Sequence, residues 1–162
     1  MSVSPVYSAT QEERNEHLEL YEALNEVNIS VYANEPEMCD PKEGFLGFYA
    51  PKYRLISICQ SDPSVQFTDE DLDTLRHEAH HVIQDCLDGR VDGEMVLLFT
   101  GEAKERFLEN YPMSKQLRVR RIYGEAGTPA HIIELEVEAF AVAALVPAST
   151  IANAVRSACA GK

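Results

Sequence analysis

The chain has 162 residues, of which 45% are hydrophobic and 25% are charged. These values are typical of a globular protein with one core, so we expect a single domain over residues 1–162. With 14 basic against 27 acidic residues, the net charge of −13 would repel nucleic-acid phosphates and anionic lipid surfaces. Nucleic-acid and membrane partners are therefore not expected, and a peptide or protein partner is easier to accommodate.

No segment of the sequence has the pattern of a membrane span or a secretory signal. The longest apolar run, residues 139–146, ends at Pro147 and is far shorter than the ~20 residues that a spanning helix needs. The first ten residues lack a basic start and an apolar block. We accordingly expect a cytoplasmic protein.

The distribution of the cysteines also favours a cytoplasmic protein. The four cysteines are widely scattered and include no Cys-x-x-Cys pair, which argues against a thiolate zinc site and against a dense disulfide framework. We therefore expect free thiols in a reducing compartment. The residues concerned are Cys39, Cys59, Cys86 and Cys159.

The first half of the chain predicts a helix followed by strands. Apolar residues recur at helical spacing within residues 11–27, whereas residues 28–33 are β-prone and residues 34–44 are rich in turn formers. Two apolar and aromatic runs, 44–50 and 53–60, flank a Pro-Lys dipeptide and predict a β-hairpin.

The second half is predicted to be mainly helical. Thr68 precedes a long helix over residues 69–87, and residues 102–111 are also helix-like. A basic stretch follows, and Pro129 then opens a final long helix that ends at Pro147. The fold class expected from this order is α+β.

The sharpest signal is an H-E-x-x-H motif within the predicted helix 69–87. Residues four apart on a helix lie about 40° from eclipsed, so His77 and His81 present their imidazoles side by side to one ion. Zinc binds neutral imidazole nitrogens, and Glu78 lies where a carboxylate could take a proton from an attacking water. The motif predicts a zinc site with Glu78 as general base.

Two further polar residues, His80 and Gln84, lie within or just beyond the motif. His80 is adjacent to the metal face, and we expect it to pack behind the ligands. Gln84 lies one turn further along and could orient a ligand, although a solvated glutamine is the simpler expectation.

A third protein ligand is needed, and the final helix offers three glutamates. Glu136 is followed by alanines at three and seven positions, which would let two helices approach closely beneath its carboxylate. Glu138 is the alternative, and Glu134 ranks third because it lies nearest the helix start. Glu136 and Glu138 are about 200° apart on a helix, so only one can face the metal.

The order of these features resembles the zincin superfamily of metallopeptidases, in the branch whose third ligand is a glutamate. In that branch an E-x-x-A helix, here residues 136–139, follows the H-E-x-x-H helix. The Gly-Phe-Tyr sequence at 47–49, the strand at 55–59 and the Leu-Val-Pro ending at 145–147 are similar to compact ImmA/IrrE-like and phage-encoded zincin domains. The resemblance covers residues 44–147.

The resemblance implies a minimal zincin: an N-terminal helix, a small sheet, the active-site helix and a C-terminal glutamate helix. It implies that His77, His81 and one late glutamate bind zinc, that Glu78 is catalytic, and that the hairpin's outer strand receives an extended substrate. Residue type alone suggests three candidates for stabilising an oxyanion: Tyr111, Tyr123 and His131.

The sequence departs from the compact domains in one respect. Glu136 follows His81 by 55 positions, which is a longer gap than in those domains. We expect the inserted residues 91–128 to form a lid or a wall of the cleft. Their basic patch could offset the acidic surface, bind an acidic substrate group, or be a solvated helix face, and it comprises Lys115, Arg118, Arg120 and Arg121.

The function predicted is zinc-dependent hydrolysis of a peptide bond. Two alternatives stay open: a non-catalytic structural or interaction module, for instance a viral one, that retains the fold and its zinc, and a regulator that cleaves a single partner protein. An intact Glu78 disfavours the first alternative, because a purely structural metal needs no base beside it.

Overall fold

In the computed structural model, which describes residues 9–40, 42–89 and 92–162, helices surround a small sheet. The α-helices of these residues are α1 (Gln11–Glu26), α2 (Asp69–Cys86), α3 (Gly101–Leu108), α4 (Met113–Glu125), α5 (Ala130–Leu145) and α6 (Ala148–Ala158). The strands are β1 (Ser30–Ala33), β2 (Gly47–Ala50) and β3 (Leu55–Ile58), with a 3₁₀ turn at Pro51–Tyr53. The predicted α+β class is confirmed.

The sheet has the strand order β1-β3-β2. β2 and β3 pair antiparallel, as the predicted hairpin requires, and β1 pairs parallel to β3. Ile56 and Ile58 of β3 are fully buried in the core, and so is Ser57 between them. Because successive residues of a strand point to opposite faces, this central strand is covered on both faces.

Helix α2 lies at the centre of the fold. Its start is determined by a capping box, in which Thr68 and Asp71 exchange hydrogen bonds between side chain and backbone. One face of α2 is apolar and enters the core against α1 and α6, but the opposite face is largely buried too. The core residues of α2 are Leu75, Ala79, Val82, Ile83 and Cys86.

The prediction of free thiols is wrong, because the four cysteines form two disulfides. Cys39 pairs with Cys59, and Cys86 pairs with Cys159. The partners are 20 and 73 positions apart, so only the tertiary structure brings them together. Disulfides are typical of oxidising compartments, so the reducing compartment loses its support and the cytoplasmic location stays a prediction.

Within the described residues, none of the helices combines the length and the apolarity that crossing a bilayer would require.

Candidate metal centre

Two histidines of α2 and one glutamate of α5 converge at a single point. His77 Nε2 lies 3.1 Å from Glu136 Oε2, and His81 Nε2 lies 3.2 Å from Glu136 Oε1. The two Nε2 atoms are themselves 3.1 Å apart. The structure thus brings together the three residues ranked first as ligands, and such a group could hold a metal ion.

The chemistry of this donor set fits a divalent cation. Two imidazole lone pairs and a carboxylate repel one another when they face the same point, unless a positive charge lies between them. Two imidazoles and one carboxylate are also a ligand set found at catalytic zinc sites, where one position stays open. His77, His81 and Glu136 would therefore hold such an ion.

The charges of the group depend on each other. Burial would raise the pKa of Glu136, but the hydrogen bonds with His77 and His81 outweigh it and hold that pKa far below its usual range. Burial would lower the pKa of His81, but Glu136 and Glu78 outweigh it and raise the pKa to about 9. Without a metal, the group therefore attracts a proton in place of the cation.

The other candidate ligand, Glu138, lies on a different side of α5. It is buried, its Oε1 accepts a hydrogen bond from His80 at 2.7 Å, and it also accepts from Gln84 and from two backbone N–H groups. Glu134 instead forms ion pairs with Lys104 and Arg120. Of the three glutamates, only Glu136 therefore lies beside the two histidines of the motif.

A cavity of about 370 Å³ opens beside the metal-binding group. Glu78 is buried on α2 and lines this cavity, as do both histidines. The remaining lining residues are Phe45, Gly47, Phe48, Tyr49, Gly93, Met95, Tyr123, Ile132, Leu135 and Glu136. A second cavity of about 220 Å³ adjoins the same Glu78 and contains Asp73, Thr74 and Phe140. Glu78 thus lines both cavities.

Gly47 allows β2 to lie directly against α2 at this point. A β-carbon placed there would come within 2.6 Å of Thr74 Cγ2 and 3.4 Å of Glu78 Cγ. Any side chain at position 47 would therefore push the strand away from the helix and disturb the base of the cavity.

The same strand has backbone groups that point away from the sheet. Leu46 accepts a hydrogen bond from the N–H of Cys59 at 2.8 Å, so the hydrogen-bonded pairs of this ladder fall on even-numbered residues of β2. The N–H and C=O groups of Gly47 and Tyr49 therefore point away from β3. Among the described residues, no strand pairs with that outer edge.

Of the three oxyanion candidates, one lies at the site. The hydroxyl of Tyr123, on α4, lies 3.2 Å from Glu136 Oε2, and burial together with the charge of Glu136 raises its pKa. Tyr111 is buried outside the cavity lining, and His131 is exposed. Because Tyr123 lies in the inserted residues, this part of the insertion forms a wall of the cavity.

Sequence reasoning missed Asp85, which holds another part of that wall. Asp85 is fully buried, accepts a hydrogen bond from the Tyr49 hydroxyl at 2.6 Å, and accepts two more from the backbone of Asp92 and Gly93. Its only signal in the sequence is an acid on the helix four positions beyond His81, which is also common on solvated helices.

Comparison of the chain with protein-family models, with curated protein sequences and with solved structures gives no match. The resemblance to zincins therefore depends on the residues of the site alone.

Proposed function

We propose that this chain is a zinc-dependent metallopeptidase of the zincin type, which hydrolyses peptide bonds. The observation that carries the proposal is the group formed by His77, His81 and Glu136, placed beside a cavity that also contains the carboxylate of Glu78. A three-ligand site next to open space and a buried base is the arrangement expected of catalytic zinc.

Each residue has a role that its surroundings support. Zinc, when bound, supplies polarisation of the scissile carbonyl and lowers the pKa of the attacking water. Glu78 accepts the proton of that water and then delivers it to the leaving amine. Tyr123, whose raised pKa keeps its hydroxyl protonated, donates a hydrogen bond to the oxygen that becomes negatively charged.

The substrate in this proposal is an extended peptide. The outward N–H and C=O groups of Gly47 and Tyr49 would pair with it as an additional strand. Met95, Ile132 and Leu135 line the cavity beyond β2 and would accept an apolar side chain.

The rival function is a zinc-stabilised module without catalysis. Structural zinc is usually enclosed by four protein ligands, whereas this group offers three within the described residues and adjoins a cavity. Two disulfides already link distant parts of the chain, so a metal staple would add little. These observations favour catalysis.

The test is Glu78→Gln, which preserves the shape of the side chain and removes the base. We expect zinc content to be retained and hydrolysis of an internally quenched peptide pool to fall by roughly 10²- to 10⁴-fold. The matched control is Glu70→Gln, the same substitution at an exposed position of α2 outside the cavity, which should leave hydrolysis unchanged.

Two outcomes would contradict the proposal. If the Glu78→Gln variant hydrolyses the pool at the wild-type rate, Glu78 is not the base. If the zinc-loaded wild type cleaves no member of the pool, the non-catalytic module or a regulator restricted to one partner becomes the better description.

A further inference from the structure

The side chain of Gln84 is fully buried between α2 and α5. Its Oε1 lies 2.7 Å from His81 Nδ1, and its Nε2 donates to Leu135 O at 3.0 Å and to Glu138 Oε1 at 3.1 Å. The expectation of a solvated glutamine is therefore wrong.

These contacts allow only one orientation of the Gln84 amide. The carbonyl of Leu135 and the carboxylate of Glu138 can only accept hydrogen bonds, so the NH₂ group must face them. Oε1 must then face His81, where it accepts the proton of Nδ1. Nε2 of His81, which points to Glu136, is then the nitrogen whose lone pair can bind an ion in place of a proton.

We infer that Gln84 is a positioning residue for the metal centre, because it holds His81 in the orientation and the protonation form that present Nε2 to the ion. The inference rests on the zinc-binding part of the proposed function and not on hydrolysis. A partner behind a ligating histidine typically changes metal affinity by 10- to 100-fold.

The hydrogen bonds around Gln84 also reach the wall of the cavity. Glu138 accepts from the backbone N–H groups of Leu98 and Phe99 at 2.9 and 3.0 Å, and the N–H of Val96 donates to the backbone oxygen of Gln84. Because Met95 precedes these residues and lines the cavity, one buried network orients a ligand and holds the wall beside it.

The two histidines of the candidate metal centre differ in what holds their rings in place. His77 Nδ1 is buried and has no hydrogen-bond partner among the described residues, and the ring is held by a contact with Phe140 whose centroids are 4.3 Å apart. Loss of Gln84 should therefore disturb His81 and leave His77 in place.

The test compares Gln84→Met with Gln116→Met. Gln116 is also a buried glutamine on a helix and donates to the backbone oxygens of Leu108 and Tyr111, but it makes no contact with the metal-binding group. We expect the zinc Kd, measured by competition with a chromophoric chelator, to rise roughly 10- to 100-fold in Gln84→Met and to stay unchanged in Gln116→Met. Equal zinc affinity in the two variants would overturn the inference.

A measurement on the wild type decides the matter if Gln84→Met does not fold. In protein labelled with ¹⁵N-histidine and loaded with zinc alone, His81 should coordinate through Nε2 and carry a hydrogen-bonded proton on Nδ1. Coordination through Nδ1 would overturn the inference. Zinc binding without hydrolysis would contradict only the proposed function, whereas a wild type that binds no zinc would contradict both.

Discussion

Two histidine–carboxylate groups lie on different sides of the contact between α2 and α5, and their surroundings differ sharply. In the first, His77 and His81 face Glu136 at the cavity. In the second, His80 faces Glu138 in the core, where Glu138 accepts hydrogen bonds from four donors. The residue types are the same, and the sequence separations are 59 and 58 positions.

The difference lies in what surrounds the carboxylate. Both oxygens of Glu138 accept hydrogen bonds from protein donors, although Nδ1 of His80 has no partner among the described residues. Burial lowers the pKa of His80 and so favours its neutral form. At Glu136 three ligand atoms converge beside a cavity, and the group is completed only by a proton or a metal. A shared residue pattern thus serves structure in one place and could hold a metal ion in the other.

We expect the two groups to differ most when single histidines are substituted. His81→Ala removes one of three ligands and should lower zinc affinity well beyond the roughly 10- to 100-fold typical of residues behind a ligand. His80→Ala should retain zinc and lose stability instead. Metal analysis after dialysis and urea unfolding measure the two effects, and loss of zinc only in His80→Ala would reverse the assignment.

Substitutions of the two carboxylates should likewise differ in their effects on zinc binding and on stability. Glu138→Gln should lower the free energy of unfolding by about 1–3 kcal/mol, because one amide oxygen cannot accept from all four donors of Glu138. Glu136→Gln removes a candidate ligand and should weaken zinc binding far more than Glu138→Gln does. Metal analysis after dialysis tests this, and a larger loss of zinc in Glu138→Gln would reverse the assignment.

The two disulfides should stabilise the fold to different extents, because they enclose chain segments of different length. Cys86 ends the helix that carries both histidine groups, and its bond to Cys159 closes 73 positions, against 20 for Cys39 and Cys59. Loop entropy predicts a loss of about 4 kcal/mol without the first bond and about 3 kcal/mol without the second.

This prediction is tested by measuring the free energy of unfolding of two variants, in each of which both cysteines of one disulfide are replaced by alanine. Thiol titration of the denatured, unreduced wild type should find no free thiol, since the structure pairs all four cysteines. Four titratable thiols in protein purified without reductant would support the original prediction instead.

The smallest expected effect concerns a third histidine, His17 of α1. Arg76 donates to His17 Nε2 at 2.9 Å, and Nδ1 faces the backbone oxygen of Glu13, so the neutral ring is favoured. Burial holds the pKa of His17 below its ordinary value of 6.5. The unfolded state then binds the proton more readily, so stability should fall as the pH decreases below about 6.5.

Urea unfolding of the zinc-free protein between pH 7 and pH 5 measures this effect. His17→Gln can keep a donor and an acceptor but does not titrate, so its stability should depend less on pH than that of the wild type. Parallel pH profiles for the two proteins would show that His17 does not contribute.

The order of α1, the strands, α2, α3 and α5 was predictable because each of these elements carries a local signal, whereas α4 was described only as a basic stretch. Thr68 and Asp71 marked the start of α2, and the spacing of His77 and His81 placed both rings on one face before any fold was known. The burial of both faces of β3 was not predictable, since nothing within the strand reveals that other elements cover them.

The sequence by itself determined the helix that carries both histidines and reduced the candidate third ligands to a few glutamates, because helical periodicity is a local property of the backbone. Only the tertiary structure decided that Glu136 meets the histidines while Glu138 enters the core, since that depends on how α5 is rotated against α2. The disulfides and the amide orientation of Gln84 were decided in the same way, because each depends on partners far apart in the chain that packing brings within bonding distance.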